Sequence, residues 1–355
     1  MTENWNVKAL DDGYGDFKFD SNGKPELIPA FATTFRKKSE DTMLSNSPQQ
    51  MKYVASEVNG HRYVVGDYAM KLDPNIRWTG GENKHADHMF PILFKTVLGM
   101  MTSGIREVVD ILVMNLPIKY DTEERRVALT NIAKGTHEVA ISYDGVNFQR
   151  RIISVEEVVV KKQPFGSLCD LMLNGNGEVE DVGIAKGFNV IVDIGARTLN
   201  VLTVNALDVV PELTTQTSDG MYTSYLQVGN YLENTFGGLI PDGKLPLIIR
   251  EKSLKGRDLT PLIDRVYENQ ANTIINTLDK LFINSWNFVD NVIFTGGGAE
   301  ILKPYFNGRL QGVNTIYLDR YANVRGLRKY GLKLSKKKTK GTSTISARIG
   351  STKYS

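Results

Sequence analysis

The sequence predicts a duplicated two-domain α/β fold with a phosphate-binding cleft between its halves. Three observations carry that expectation. At 355 residues the chain exceeds what one hydrophobic core usually organises, so two domains are expected. Two short segments, one in each half, share one construction: Ala9-Leu10-Asp11-Asp12-Gly13-Tyr14-Gly15-Asp16-Phe17-Lys18 and Val190-Ile191-Val192-Asp193-Ile194-Gly195-Ala196-Arg197-Thr198-Leu199-Asn200. Each runs from an apolar strand into an acid, a glycine turn, and a returning strand that ends on a polar residue. Beyond that hairpin each half continues into mixed strands and helices, the mark of a structural duplication and not of a short solenoid repeat.

In the first half, strands are expected at residues 6–10, 16–19 and 61–65, each bounded by turn residues. Residues 36–50 are polar and aperiodic, and read as a loop or small inserted subdomain. Residues 86–102 carry Met89, Ile92, Leu93, Val97 and Met100 at helical spacing. Residues 108–116 are a dense apolar run closed by Pro117, the pattern of a buried central strand. A helix over residues 122–134, N-capped by Thr122, precedes strands at 138–141 and 149–160. Residues 167–173 read as a helix that residues 174–177 break.

The second half restarts with a strand at Phe188, which residues 198–204 and 209–214 extend into a meander. Long helices are expected over residues 223–236 and 259–282. A buried strand at residues 289–295 ends in Gly296, Gly297 and Gly298, with a helix beginning at Glu300 and Ile301.

Composition is that of a soluble globular protein, with 41% hydrophobic and 23% charged residues. The single cysteine, Cys169, excludes an intramolecular disulfide and fits a reducing, cytoplasmic location. The N-terminus lacks the pattern of a signal peptide, and no apolar run reaches the ~18 residues that span a bilayer. The net charge of +3 is unevenly placed. Residues 325–355 hold ten Lys or Arg and no acid, leaving 33 basic against 40 acidic residues elsewhere. The last twenty residues, rich in Lys, Ser, Thr and Gly, read as a flexible tail. That tail is either solubilising or an electrostatic contact to nucleic acid, a partner or a neighbouring subunit.

An Asp-x-Gly turn at a hairpin tip brings backbone N–H groups near a carboxylate, which suits a phosphate chain and its Mg²⁺. Two such turns imply two domains closing on one nucleotide. In order along the chain, five segments resemble the actin-like ATPase superfamily, whose duplicated fold is of the ribonuclease H-like kind. Residues 11–18 and 193–200 resemble its two phosphate loops, and residues 295–299 its adenosine loop. Gln163-Pro164-Phe165-Gly166 resembles its first inter-domain connection, and residues 321–326 the second, leading into a C-terminal helix. Val64-Val65-Gly66-Asp67-Tyr68-Ala69, Asn115-Leu116-Pro117 and the Gln163–Gly166 connection are most similar to the ParM-like plasmid-segregation filament proteins and archaeal actin-like relatives.

The resemblance implies domain I over residues 1–172, with an inserted subdomain at about 20–80, and domain II over 173–324. Residues 325–355 become a helix returning to domain I followed by the basic tail. It implies ATP or GTP as nucleotide, with Mg²⁺ between Asp11 and Asp193. Asp11 either holds that ion through ordered water or helps polarise the attacking water. Asp12, adjacent, is aimed the other way by strand alternation. Gly13, Tyr14 and Gly15 line the phosphates, and Lys18 reaches them as a point charge. Gly195, Ala196, Arg197 and Thr198 supply N–H groups from the other side; the Arg197 side chain either contacts phosphate or points to solvent. Gln163 orients the lytic water without deprotonating it. Gly296, Gly297 and Gly298 clear space for a purine. Contacts to base and ribose have no readable motif.

The implied activity is a nucleotide-driven filament ATPase that moves plasmid DNA through a DNA-bound adaptor protein, with self-assembly as its main partnership. Three other readings are weighed beside it. A small-molecule kinase of the superfamily needs a substrate-binding motif that is not found. An Hsp70-type chaperone needs a further substrate domain, where only the basic tail remains. An actin-like scaffold that hydrolyses poorly is disfavoured by intact Asp11, Gln163 and Asp193.

Overall fold

The computed structural model describes residues 5–36, 52–73, 76, 84–310 and 312–350, with side chains of the last helix described through Thr339. The first half supplies strands β1 (Val7–Asp12), β2 (Asp16–Asp20), β3 (Glu26–Pro29), β4 (Ala32–Thr34), β5 (Val54–Val58), β6 (His61–Val65), β7 (Arg106–Leu116), β8 (Gly135–Ser142) and β9 (Gln149–Lys162). They form one sheet in the order β3-β2-β1-β7-β9-β8-β5-β6-β4. Its helices are α1 (Asp67–Leu72), α2 (Met89–Met100), α3 (Glu123–Ala133) and α4 (Phe165–Met172). Thr122 caps α3 as expected, its hydroxyl accepting from the Arg125 N–H at 3.3 Å.

The second half supplies α5 (Val182–Lys186), β10 (Phe188–Ile194), β11 (Leu199–Asn205), β12 (Asp208–Val209), β13 (Thr215–Thr217), α6 (Met221–Phe236) and α7 (Leu245–Glu251). It continues through β14 (Ser253–Leu254), β15 (Arg257–Asp258), α8 (Thr260–Phe282), β16 (Asn291–Thr295), α9 (Gly297–Phe306), β17 (Asn314–Tyr317) and α10 (Ala322–Gly350). Its main sheet runs β12-β11-β10-β16-β17, with β13 on β11.

The duplication is visible in the pairing. β1 pairs antiparallel with β2 and parallel with β7, which pairs parallel with β9. β10 repeats this with β11, β16 and β17. The inner strands are buried on both faces, hence their unbroken apolar runs at Leu112–Met114 and Val190–Val192.

Each sheet is covered by a helix arriving from the other half. α4 follows β9 yet packs Leu168, Cys169 and Met172 on Ile191, Leu202 and Ile293 of the second sheet. α10 follows β17 yet packs Val324 and Leu327 on Val7, Ala9, Ile111 and Val113 of the first. The helices cross backbone to backbone: a Cβ on Gly326 would overlap the Gly166 carbonyl, and one on Gly166 the Asn323 carbonyl. Arg325 bridges Asp170 of α4 at 2.6 Å and Asp319 at 2.8 Å, which holds its guanidinium above its ordinary range against the cost of burial. Cys169 is fully buried, and burial pushes its thiol up to about 12, so it is an inert packing residue.

Several sequence expectations change. The expected strand at 209–214 is a short β12, a 3₁₀ turn (Pro211–Leu213) and β13, because Pro211 lacks the ladder N–H. α9 starts at Gly297, earlier than Glu300. The stretch from Lys336, expected to be a flexible tail, continues α10 to Gly350. Helix propagates cheaply once packed turns have nucleated it, and Lys costs little in a helix. Trp5 Nε1 donating to Thr339 at 3.1 Å and Lys336 pairing with Glu178 at 2.8 Å hold its beginning. The expected loop at 36–50 lies, beyond Arg36, outside the described residues. Among the described residues, no helix is long and apolar enough to cross a membrane.

Candidate active site

Both sheets direct the C-terminal ends of their parallel strands at one cleft, where α/β sheets generally hold ligands. On the first sheet, neighbouring β1, β7 and β9 carry Asp11, Asn115 and Gln163 at or just past their ends. The three side chains form one buried array. Asn115 Nδ2 and Gln163 Nε2 each donate to Asp11 Oδ1 at 3.0 Å, and Gln163 Nε2 also donates to Asn115 Oδ1 at 3.1 Å. A carboxylate only accepts, so the amide orientations are fixed by Asp11. Gln163 thereby commits its N–H donors to the protein and keeps its carbonyl as an acceptor.

Asp12 does aim away from the cleft. It is fully buried, 3.1 Å from Lys84 Nζ and 2.6 Å from His85 Nε2. Burial raises the Asp12 carboxyl, but Lys84 and His85 outweigh it and hold it below its ordinary range. It anchors the underside of the first loop.

Across the cleft Asp193 ends the β10 ladder opposite Asn200 and Thr295. Burial drives its carboxyl up to about 7; Lys18 and an Asn200 hydrogen bond oppose that, and Asp11 adds to it. Lys18 Nζ lies 3.7 Å from Asp11 Oδ2. Burial lowers its ammonium, but Asp11, Asp16 and Asp193 together raise it above the ordinary range. Burial likewise raises Asp16. The site is thus a pocket of three carboxyls around one lysine, short of positive charge.

The cleft holds a cavity of about 150 Å³ that opens to solvent. It brings together Asp11, Gly13, Tyr14, Gly15, Lys18, Gln163, Asp193, Gly195, Ala196, Thr198, Gly297 and Gly298 of the expected residues. Two expected residues stand apart. Gly296 lies beneath the lining: its φ is +87°, and a Cβ there would come 2.5 Å from Asp193 Oδ1. Arg197 turns away from the cleft, between the rings of Tyr14 and Tyr222. Asp16, Met221, Tyr225, Ile301 and Arg320 complete the lining and were not anticipated. Asp16 sat inside the first motif and was legible there; Arg320, paired to Glu300 at 2.7 Å, had no local signal.

These residues fit a nucleotide with Mg²⁺. Asp11 and Asp193 face the cleft from opposite hairpins, and a divalent cation beside Asp193 would favour the charged carboxylate that burial disfavours. Among the described residues no set of three His, Cys, Asp or Glu side chains holds a metal alone.

The fold, the crossed helices and this cleft define an actin-like protein. Residues 9–166 match the family of actin-like protein N-terminal domains, and residues 191–308 match the C-terminal domain of archaeal MreB-like actin homologues. The chain belongs to the actin-like superfamily. An archaeal actin homologue of Thermoplasma volcanium is 24% identical over 85% of this chain and 90% of its own. Among solved structures, a 15-stranded ParM filament from Clostridium botulinum superposes with a TM-score of 0.73 at 22% identity, covering 92% of this chain and 99% of that one. An archaeal actin homologue in complex with ADP gives 0.72 at 19%, covering 92% and 98%. At these identities the structural likenesses show the fold.

Proposed function

We propose that this protein is a Mg²⁺-dependent ATPase that polymerises on binding nucleotide and disassembles after hydrolysis. The observation that carries the reading is the Asp11–Asn115–Gln163 array facing Asp193 across a glycine-walled cleft. Bound Mg²⁺ supplies charge neutralisation and ordered water at the phosphate chain. Asp11 and Asp193 hold it, Lys18 contacts the phosphates, and the turns at Gly13–Gly15 and Gly195–Thr198 offer N–H groups. The Gln163 carbonyl positions the attacking water; an amide is too weak a base to deprotonate it, so turnover is slow. Nucleotide binding favours one relation of the two sheets over another, and subunit contacts that differ between those states couple the cycle to assembly.

The filament reading draws support from the ParM filament among the structural neighbours. The proposed task is cytoplasmic movement or retention of plasmid DNA through a DNA-bound adaptor, with the basic α10 as a route for direct nucleic-acid contact. The test measures light scattering and pelleting of pure protein with and without Mg-ATP or Mg-GTP, alongside phosphate release. Nucleotide-dependent pelleting with phosphate release is expected. Protein that stays soluble and forms ADP only with an added sugar, which takes up the phosphoryl group, would make it a kinase and sink the reading.

A further inference from the structure

Beside the nucleotide cleft lies a second chamber of about 250 Å³, open to solvent and lined by Tyr14, Tyr120, Arg197, Thr198, Tyr222 and Thr223, with Ser218 at its side. Tyr14 and Thr198 line both cavities, one from each phosphate loop. None of the described residues lining the chamber is acidic. Arg197 Nε is buried without an acceptor, and its guanidinium meets only aromatic faces, 5.9 Å from the Tyr14 ring centre and 5.4 Å from that of Tyr222.

Arg197 as a whole is half-buried, yet its Nε is shut off from solvent. Leaving a buried N–H without an acceptor is costly, and several other arginines of this chain meet carboxylates. Arg320 has Glu300, Arg325 has Asp170 and Asp319, and Arg126 has Asp121. Arg197 has the same planar fork, suited to two oxygens of one oxyanion, and its fork is unspent. Tyr14, Thr198, Tyr222 and Thr223 line the same chamber and carry hydroxyls, that of Thr223 donating to the Ser218 carbonyl at 3.3 Å. Burial raises the Tyr14 phenol, so it stays a neutral donor at any physiological pH.

We propose that this chamber is a second anion site, separate from the nucleotide cleft, which takes inorganic phosphate on the Arg197 guanidinium with tyrosine and threonine hydroxyls as further donors. Its walls come from both phosphate loops, so phosphate there ties the loops together.

The test is calorimetric titration of inorganic phosphate into protein already saturated with Mg-AMPPNP, saturation being verified for each variant. The analogue fills every phosphate position in the cleft, so phosphate heat then reports the chamber. Wild-type protein is expected to bind one phosphate, and Arg197→Gln to bind it at least about tenfold more weakly, the worth of one charge-assisted hydrogen bond. Arg197→Lys, which keeps the charge and loses the fork, is expected to fall between them and serves if the glutamine variant does not fold. Absence of phosphate binding to the saturated wild type, or equal binding by these variants, overturns the proposal. The inference rests on the nucleotide reading only in using AMPPNP to fill the cleft. A protein that takes no AMPPNP is titrated with phosphate directly; loss in Arg197→Gln but not in Lys18→Gln then supports the chamber, and the reverse overturns it.

Discussion

Asp193→Asn is expected to stabilise the nucleotide-free protein while removing a metal ligand. The carboxyl titrates near 7 in the folded protein instead of at its ordinary 3.8, chiefly because of burial. The folded state therefore holds a proton that the unfolded chain has released between about pH 4 and 7, and wild-type stability falls as pH rises through that window. Three pKa units at about 1.4 kcal/mol each give about 4 kcal/mol lost by pH 8. Asparagine keeps the shape and carries no charge. The variant's advantage should be near zero at pH 4, grow by about 1.4 kcal/mol per unit to pH 7, and level off above. Urea denaturation of EDTA-treated protein at pH 4.5, 6 and 8 measures it, and the same comparison cancels the contribution of Asp16. Parallel pH–stability curves for the two proteins would refute the assignment of Asp193 as an uncompensated carboxyl. With Mg-ATP the order reverses: wild type gains stability, and the variant neither gains it nor releases phosphate.

Two further outcomes test other parts of the site. Gln163→Ala removes the water-positioning carbonyl and one of the two amide donors to Asp11, so kcat for phosphate release should fall about 100-fold or more with a smaller change in KM; steady-state assays with Mg-ATP check this. Gly298→Ala places a methyl on the Ile194 side chain. It should cost about 1–3 kcal/mol in thermal or urea unfolding and weaken ADP binding, read by calorimetry.

The frame of the fold was legible because its signals are local. The two hairpins announce themselves through apolar runs broken by Asp and Gly, and the alternation at Asp11 and Asp12 separates the acid that faces the cleft from the one that does not. What escaped was set by pairing between distant segments. Asn115 stood in a noted motif, yet its bond to Asp11 exists only because β1 and β7 are neighbours in register. Arg320 reaches the cleft from the connection between β17 and α10, and Tyr225 from α6, whose period foretells the helix but not which residue meets the cleft. α7 is short and carries a proline in its first turn, and β17 spans only four residues, too few for a period. α10 was cut short on composition, since Lys, Ser and Thr say nothing of a helix already begun. Arg197 leaves the cleft for a chamber open to solvent, where its place depends on Tyr14 and Tyr222, one in each half.

The crossing of α4 and α10 has a mechanical consequence. With carbonyl against Cα and no side chain between them at Gly166 and Gly326, the contact has nothing to compress and nothing to slide on. It gives the halves of the molecule a close point of contact about which to turn. A fulcrum beside the phosphates makes each sheet a lever whose short arm ends at the nucleotide. Displacements too small to break a single hydrogen bond in the cleft are multiplied at the outer edges of the sheets, where another molecule can feel them.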